Sequence, residues 1–158
     1  MTITKDYLKV DNNIWIFQGN PNKYRIVDAL SDSILNGWRV TRFASDIKLG
    51  DKALIWICGK SAGIYAIADI NSSPAYMPLL PKEEKYFIDK TIAKREKAVE
   101  LKFTHYFLSN PIYRCELKDI PGLKNLSIIK CAMGTNFPVK KQEWEIIRRK
   151  IEEHTVNK

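Results

Sequence analysis

The sequence predicts an α+β fold built on a strongly curved or barrel-like sheet of mostly antiparallel strands. Residues 52–70 read as a strand, a glycine-bounded connection "GKSAG" and a returning strand "IYAIADI", which together make a hairpin and so an antiparallel pair. Short strand patterns dominate the chain and helices are interspersed among them, which argues against a doubly wound parallel sheet. At 158 residues the chain can bury one substantial core, so a single domain over 1–158 is expected.

Each element follows from its own residues. "IWIFQ" at 14–18 is a short apolar and aromatic strand, closed by the turn formers of "GNPNK". In "YRIVDALSDSIL" the positions Tyr24, Val27, Leu30, Ile34 and Leu35 fall near helical spacing, and Asn36-Gly37 supplies the stop. A turn at Gly50-Asp51 precedes the buried-looking strand Lys52 to Cys58, and the hairpin returns through Ile64 to Ile70. "NSSPAYMPLLP" is a loop with Tyr76 and Met77 at its middle. From Lys82 to Lys97 the spacing of Phe87, Ile88 and Ile92 predicts a short amphipathic helix. "VELKFTHYF" alternates, so Val99, Leu101, Phe103, His105 and Phe107 share one strand face. A short helix fits around "LKDIPGLKNL", within the limit set by Pro121. "LSIIKCAM" reads as a strand and "GTNFP" as a turn. The last element, "KKQEWEIIRRKIEEH", is a helix with Trp144, Ile147 and Ile151 on one stripe.

Composition excludes several classes. No apolar run approaches the ~18 residues that cross a bilayer, so no membrane partner is expected. "MTITKDYLKV" has neither a signal nor a transit pattern, which predicts a cytoplasmic protein. Cys58, Cys115 and Cys131 are odd in number, widely spaced and read as reduced. With His105 and His154 as the only histidines, no zinc site of ordinary spacing assembles, and no metal or cofactor is predicted. The 26 Lys and Arg against 18 Asp and Glu give a formal charge of +8, which favours a polyanionic partner. A Lys-rich composition of this kind also arises from an AT-rich genome or a hot habitat.

Catalytic machinery is not visible. Gly59-Lys60-Ser61 resembles a phosphate loop, but Leu54 stands where that motif needs its first glycine, and hairpin glycines explain the stretch. A Cys58 nucleophile would need His105 or His154 as base, and an inert packed thiol accounts better for Cys58. Glu83-Glu84 and Glu152-Glu153 read as solvated helix faces. What remains is aromatic residues in basic settings. Trp56 and Trp144 suit a core and Trp15 suits a core or a stacking surface equally, whereas Trp38 follows "NG" and stands beside Arg39 and Arg42, where an indole face can stack on a flat base.

The order "IWIFQGNPNKYRIVDAL", "GW", "LGDKALIWICGKSAGIYAIADI" and "TNFPVKKQEWEII" resembles the EVE domain, of the PUA-like superfamily, and more distantly the YTH domain, over residues 13–151. The resemblance implies a small curved PUA-like β-barrel with a pocket for a flipped modified base, a methylated adenine or a modified cytosine, in DNA or RNA. It implies backbone approach to the base at Gly19 and Asn20, a reach to the base edge from Tyr24, and a cage wall at Trp38. Tyr76 stands where YTH readers have a second tryptophan, and His105 and Phe107 fall where the floor would be. Lys140 and Lys141 replace the usual Ser or Thr cap of the last helix and are candidates for phosphate contact, with Thr135 and Asn136 beside them.

The resulting expectation is a non-enzymatic reader. Gly19, Asn20, Tyr24, Trp38, Tyr76 and His105 would hold the base, and Lys23, Arg39, Arg42, Lys60, Lys140 and Lys141 the flanking phosphates. An effector such as a restriction-type nuclease would come separately. The alternatives are a small nucleotide-processing enzyme using His105 or Cys58 in the same pocket, and a basic adaptor docking to a nuclease or ribosomal partner.

Overall fold

The runs "IWIF" and "ALIWI" carry no polar alternation because both strands are covered on both faces. The computed structural model describes residues 12–94 and 96–156. The stretch "MTITKDYLKV", on which the cytoplasmic expectation rests, lies outside them. The strands are β1 (Ile14–Gly19), β2 (Gly37–Arg39), β3 (Lys52–Ile57), β4 (Gly63–Ile70), β5 (Ala75–Met77), β6 (Glu96–Tyr106), β7 (Ile112–Tyr113) and β8 (Asn136–Val139). Four α-helices accompany them among the described residues: α1 (Ile26–Ser31), α2 (Arg114–Leu117), α3 (Ser127–Lys130) and α4 (Lys141–Val156).

The sheet runs in the order β2-β6-β4-β3-β1-β8, with β5 beside β6 and β7 beside β4. Every pairing is antiparallel except β1 with β3. The expected hairpin is β3–β4. Register breaks at Ile55/Trp56 and at Ile67/Ala68 bend the sheet, as bulges do. Curvature brings its two ends together at one residue. The Asn136 side chain on β8 donates to Arg39 O at the end of β2 (3.0 Å) and accepts from Thr41 N–H (2.8 Å) and Arg42 N–H (3.3 Å) just past it. A side chain, not a backbone ladder, joins the first and last strands of the order.

Two apolar clusters lie on opposite faces of β1 and β3. Ile14, Ile16, Leu54 and Trp56 face outward against α4 through Trp144, Ile147 and Ile151. Trp15, Phe17, Ala53, Ile55 and Ile57 face the other way, with Ile26, Leu30, Trp38, Val40 and Val99. The predicted helical stripe of α4 is therefore its packing face. Burying each of its large side chains is worth ~1.5–3 kcal/mol. That outweighs the ~0.3–1 kcal/mol by which a lysine at a helix N-terminus is disfavoured. The missing Ser or Thr cap is half replaced by Glu143, which is buried and accepts from Lys140 N–H (2.9 Å).

Asp51 explains the Gly-Asp turn. Its buried carboxylate accepts from the Trp15 indole (2.9 Å), Lys48 N–H (3.0 Å) and Asn13 N–H (3.2 Å). Gly50 at φ +97 allows the bend.

Four expectations are corrected. Lys82–Lys97 is not an amphipathic helix but two 3₁₀ turns, Pro81–Tyr86 and Lys90–Ile92, followed by the start of β6. The backbone there is tied to the first loop instead, through Arg25 N–H to Tyr86 O (2.7 Å) and Ile88 N–H to Lys23 O (2.9 Å). "LSIIKCAM" holds the short helix α3, closed by Lys130 N–H to Leu126 O (2.9 Å) and Cys131 N–H to Ser127 O (3.0 Å). "GTNFP" supplies β8 in place of a turn, and Pro138 is tolerated because β8 ends the sheet order. The proline-rich loop carries β5 between Pro74 and Pro78.

Candidate functional site

Gly19 ends β1 beside Trp38. A Cβ there would collide with Ile26 Cδ1 and stand 3.1 and 3.2 Å from two atoms of the indole ring, so only glycine lets the backbone and Trp38 approach this closely. In front of this close approach opens a cavity of about 560 Å³, within the ~300–1,000 Å³ range of ligand sites. Trp38 is 9% exposed and belongs both to the inner core and to the cavity wall.

The loop after β1 is closed by its own hydrogen bonds. Asn20 O accepts from Lys23 N–H (3.0 Å) and Tyr24 N–H (3.1 Å), and Asn20 Oδ1 from Asn22 N–H (2.9 Å). Gly19 O is bound by Cys58 N–H (3.1 Å). The acceptors of both residues are thus engaged within the loop and ladder. Tyr24 then crosses to Phe87, ring edge to face at 4.6 Å.

The polar atoms left over are on side chains. The Tyr24 hydroxyl is buried without a hydrogen-bond partner. Burial, with Glu83 adding to it, holds that hydroxyl protonated well above the usual tyrosine range. Gln18 Nε2 donates to Ala132 O (2.9 Å) and Gly134 O (2.8 Å), which fixes the amide and leaves Oε1 a buried acceptor with no partner. Glu83 also lines the cavity, where burial raises its carboxyl above the ordinary value. The site therefore offers an indole face, a thioether and Leu79 for a flat ring, with Met77 supplying the thioether, and a hydroxyl, an amide oxygen and a carboxylate for the ring's edge.

Of the predicted residues, the fold brings Gly19, Asn20, Tyr24 and Trp38 together around the cavity, with Lys23, Arg39 and Thr135 also lining it. Arg39 pairs with Glu96 at 3.4 Å. Arg42 lies over the Phe43 ring at 5.1 Å and its Nη1 reaches Gly134 at the cavity rim. Others fall elsewhere. Tyr76 is 64% exposed on β5 and does not line the cavity; its neighbours Met77, Pro78 and Leu79 do. His105 is buried opposite Ile67 on β6, outside the cavity, and burial together with Lys52 lowers its pKa. Phe107 packs in the outer core. Lys60 is exposed in the β3–β4 turn, and Lys140 and Lys141 at the start of α4, all outside the lining. Asn136 is 0% exposed and its amide is engaged at the strand junction, which corrects its assignment to phosphate contact.

Sequence reading missed Gln18, Met77, Glu83 and Phe87. Gln18 had a signal, as the polar residue closing an otherwise apolar strand. Glu83 did not: it faces the cavity while Glu84 beside it is exposed. Cys58 lines the cavity but His105 does not, so the thiol and imidazole of the enzyme alternative are not brought together. No cluster of His, Cys, Asp or Glu suited to a metal occurs among the described residues, and no helix among them is long and apolar enough to cross a membrane.

Residues 13–150 match the model of the EVE domain. The chain belongs to the EVE domain family. Its fold is shared by solved structures of low identity. A Leishmania major protein has a TM-score of 0.66 at 22% identity, covering 92% of this chain and 98% of that one. A Pseudomonas putida protein has a TM-score of 0.61 at 23% identity, covering 86% and 97%. Human THYN1, solved in complex with 5-methylcytosine-containing DNA, has a TM-score of 0.62 at 18% identity, covering 90% and 98%. These likenesses show that the curved sheet flanked by helices in this EVE domain is a fold shared with those structures. No curated protein matches the chain by sequence.

Proposed function

We propose that this EVE domain binds DNA carrying a modified base, a modified cytosine foremost, and receives that base in the Trp38 cavity after it leaves the stack. The observation that carries the reading is an indole wall in a cavity also lined by Gln18 and Tyr24, whose Oε1 and Oη are buried without a hydrogen-bond partner and would meet a base edge once the side chains turn to it. The complex of human THYN1 with 5-methylcytosine DNA supports the choice of ligand. A cytosine presents an amino donor beside two acceptors. Glu83 and Gln18 Oε1 suit the amine, and the Tyr24 hydroxyl suits a ring acceptor. The methyl group is held by dispersion against Trp38 and Met77. Lys23 and Lys94, both at the cavity, neutralise flanking phosphates. The domain performs no chemistry in this reading; an effector would act on the bound DNA.

A panel of oligonucleotides with 5-methylcytosine, 5-hydroxymethylcytosine, N6-methyladenine and plain bases, as DNA and as RNA, tests it. Parent protein should prefer modified over plain DNA, and Trp38→Ala should lose ~1–3 kcal/mol of base stacking. Because Trp38 is also core, Trp38→Phe is the companion variant: it keeps an apolar ring and should still bind several-fold more weakly. Equal binding of modified and plain bases by the parent would defeat the reading.

A further inference from the structure

The turn between α3 and β8 carries an apolar side chain that nothing in the fold covers. Met133 is 79% exposed, more than any other large apolar side chain among the described residues. One exposed methionine is ordinary on a protein surface, but the position of this one is not. Ala132 and Gly134, on either side of it, both line the cavity. The Gln18 amide donates to the carbonyls of both, at 2.9 and 2.8 Å, so the backbone is braced at two points astride Met133. Gly134 adopts φ +123, a left-handed bend that a side chain would strain. The Arg42 guanidinium reaches the same turn, its Nη1 3.7 Å from where a Cβ on Gly134 would stand. The rim thus presents a flexible apolar side chain on a fixed backbone with a cation beside it.

We infer that Met133 is a wedge that fills the gap left in a duplex when a base turns into the Trp38 cavity. The inference rests on the cavity being a base site and adds that the ligand is double-stranded. Extruding a base leaves its neighbours unstacked and the orphaned partner exposed, and an apolar side chain placed between base steps takes over the stacking surface of the departed base. An unbranched thioether adapts to such an irregular space. Arg42 is placed to meet the phosphates that the distortion draws close. A single strand has no gap to fill, so its binding should not depend on Met133.

Affinities of the parent, Met133→Ala and Met133→Leu for one 5-methylcytosine oligonucleotide, as duplex and as single strand, decide the matter. Met133→Ala should weaken duplex binding on the order of tenfold and leave single-strand binding unchanged, while Met133→Leu restores most of the duplex affinity. The exposure of the side chain leaves the fold intact in each variant. Weakening of equal size on both forms, or on neither, overturns the wedge. Failure of the cavity reading looks different: Trp38→Phe then binds both forms as the parent does, whereas a sound cavity with no wedge shows Trp38→Phe weakened and Met133→Ala unaffected.

Discussion

Glu83 stands in conflict with its surroundings. A carboxylate half-enclosed in an apolar cavity loses hydration, and its pKa rises above the ordinary 4.5 although Lys82 pulls the other way. For an acid raised on folding, the native state holds its proton while the unfolded chain releases it. Stability from this group is therefore full below the unfolded value and falls as pH rises through the folded one. Glu83→Gln should raise the melting temperature at pH 7, with the gain shrinking toward pH 4, and should weaken binding of the modified base. A melting temperature at pH 7 below that of the parent would mean that the carboxylate is not under this penalty. A cost in stability of this kind is what the proposed base site would impose on Glu83. Trp38 shows the other side of it, because its ring is both a core member and a wall, so the site cannot loosen without the core.

Among the elements, the junction between β2 and β8 hangs on one amide. Asn136 serves two N–H groups and one carbonyl. Asn136→Ala strands those backbone groups and should cost ~1–3 kcal/mol in denaturant unfolding. Asn136→Asp keeps the acceptor and should cost less; a neutral Ala variant would show that water fills the role. The hairpin, the two doubly buried strands and the α4 stripe are legible in the sequence because local spacing alone determines them. The 3₁₀ turns, α3 and β8 are not, since their conformations depend on partners distant in the chain: Tyr24 for Phe87 and Ile14–Phe17 for β8. The site divides in the same way. Trp38 stands out from local context and Gly19 and Tyr24 from the family resemblance, whereas Gln18 and Glu83 join the cavity only through tertiary placement, and Tyr76 misses its expected position because β5 turns it outward.

Across the full surface, the formal charge of +8 is spread unevenly with respect to the cavity. Lys23, Arg39 and Lys94 line it, and Arg42 reaches its rim, while Lys60, Lys140 and Lys141 lie outside the lining. Removing one phosphate-neutralising cation should reduce the salt slope of log affinity by about 1. Lys23→Ala should therefore flatten that slope and weaken modified and plain DNA alike, with the preference between them preserved. A Lys23→Ala variant that altered the preference but not the slope would place the lysine on the base itself.

β1 lies between β3 and β8, and its outer edge is satisfied by residues 136–139. During synthesis the ribosome delivers β1 first and its last neighbour more than a hundred residues afterwards. Until then the nascent chain exposes an apolar strand with open hydrogen-bonding groups, a template for intermolecular pairing. Completion of this sheet thus waits on residues 136–139, and truncation before Asn136 leaves a polypeptide with an open apolar edge suited to chaperones.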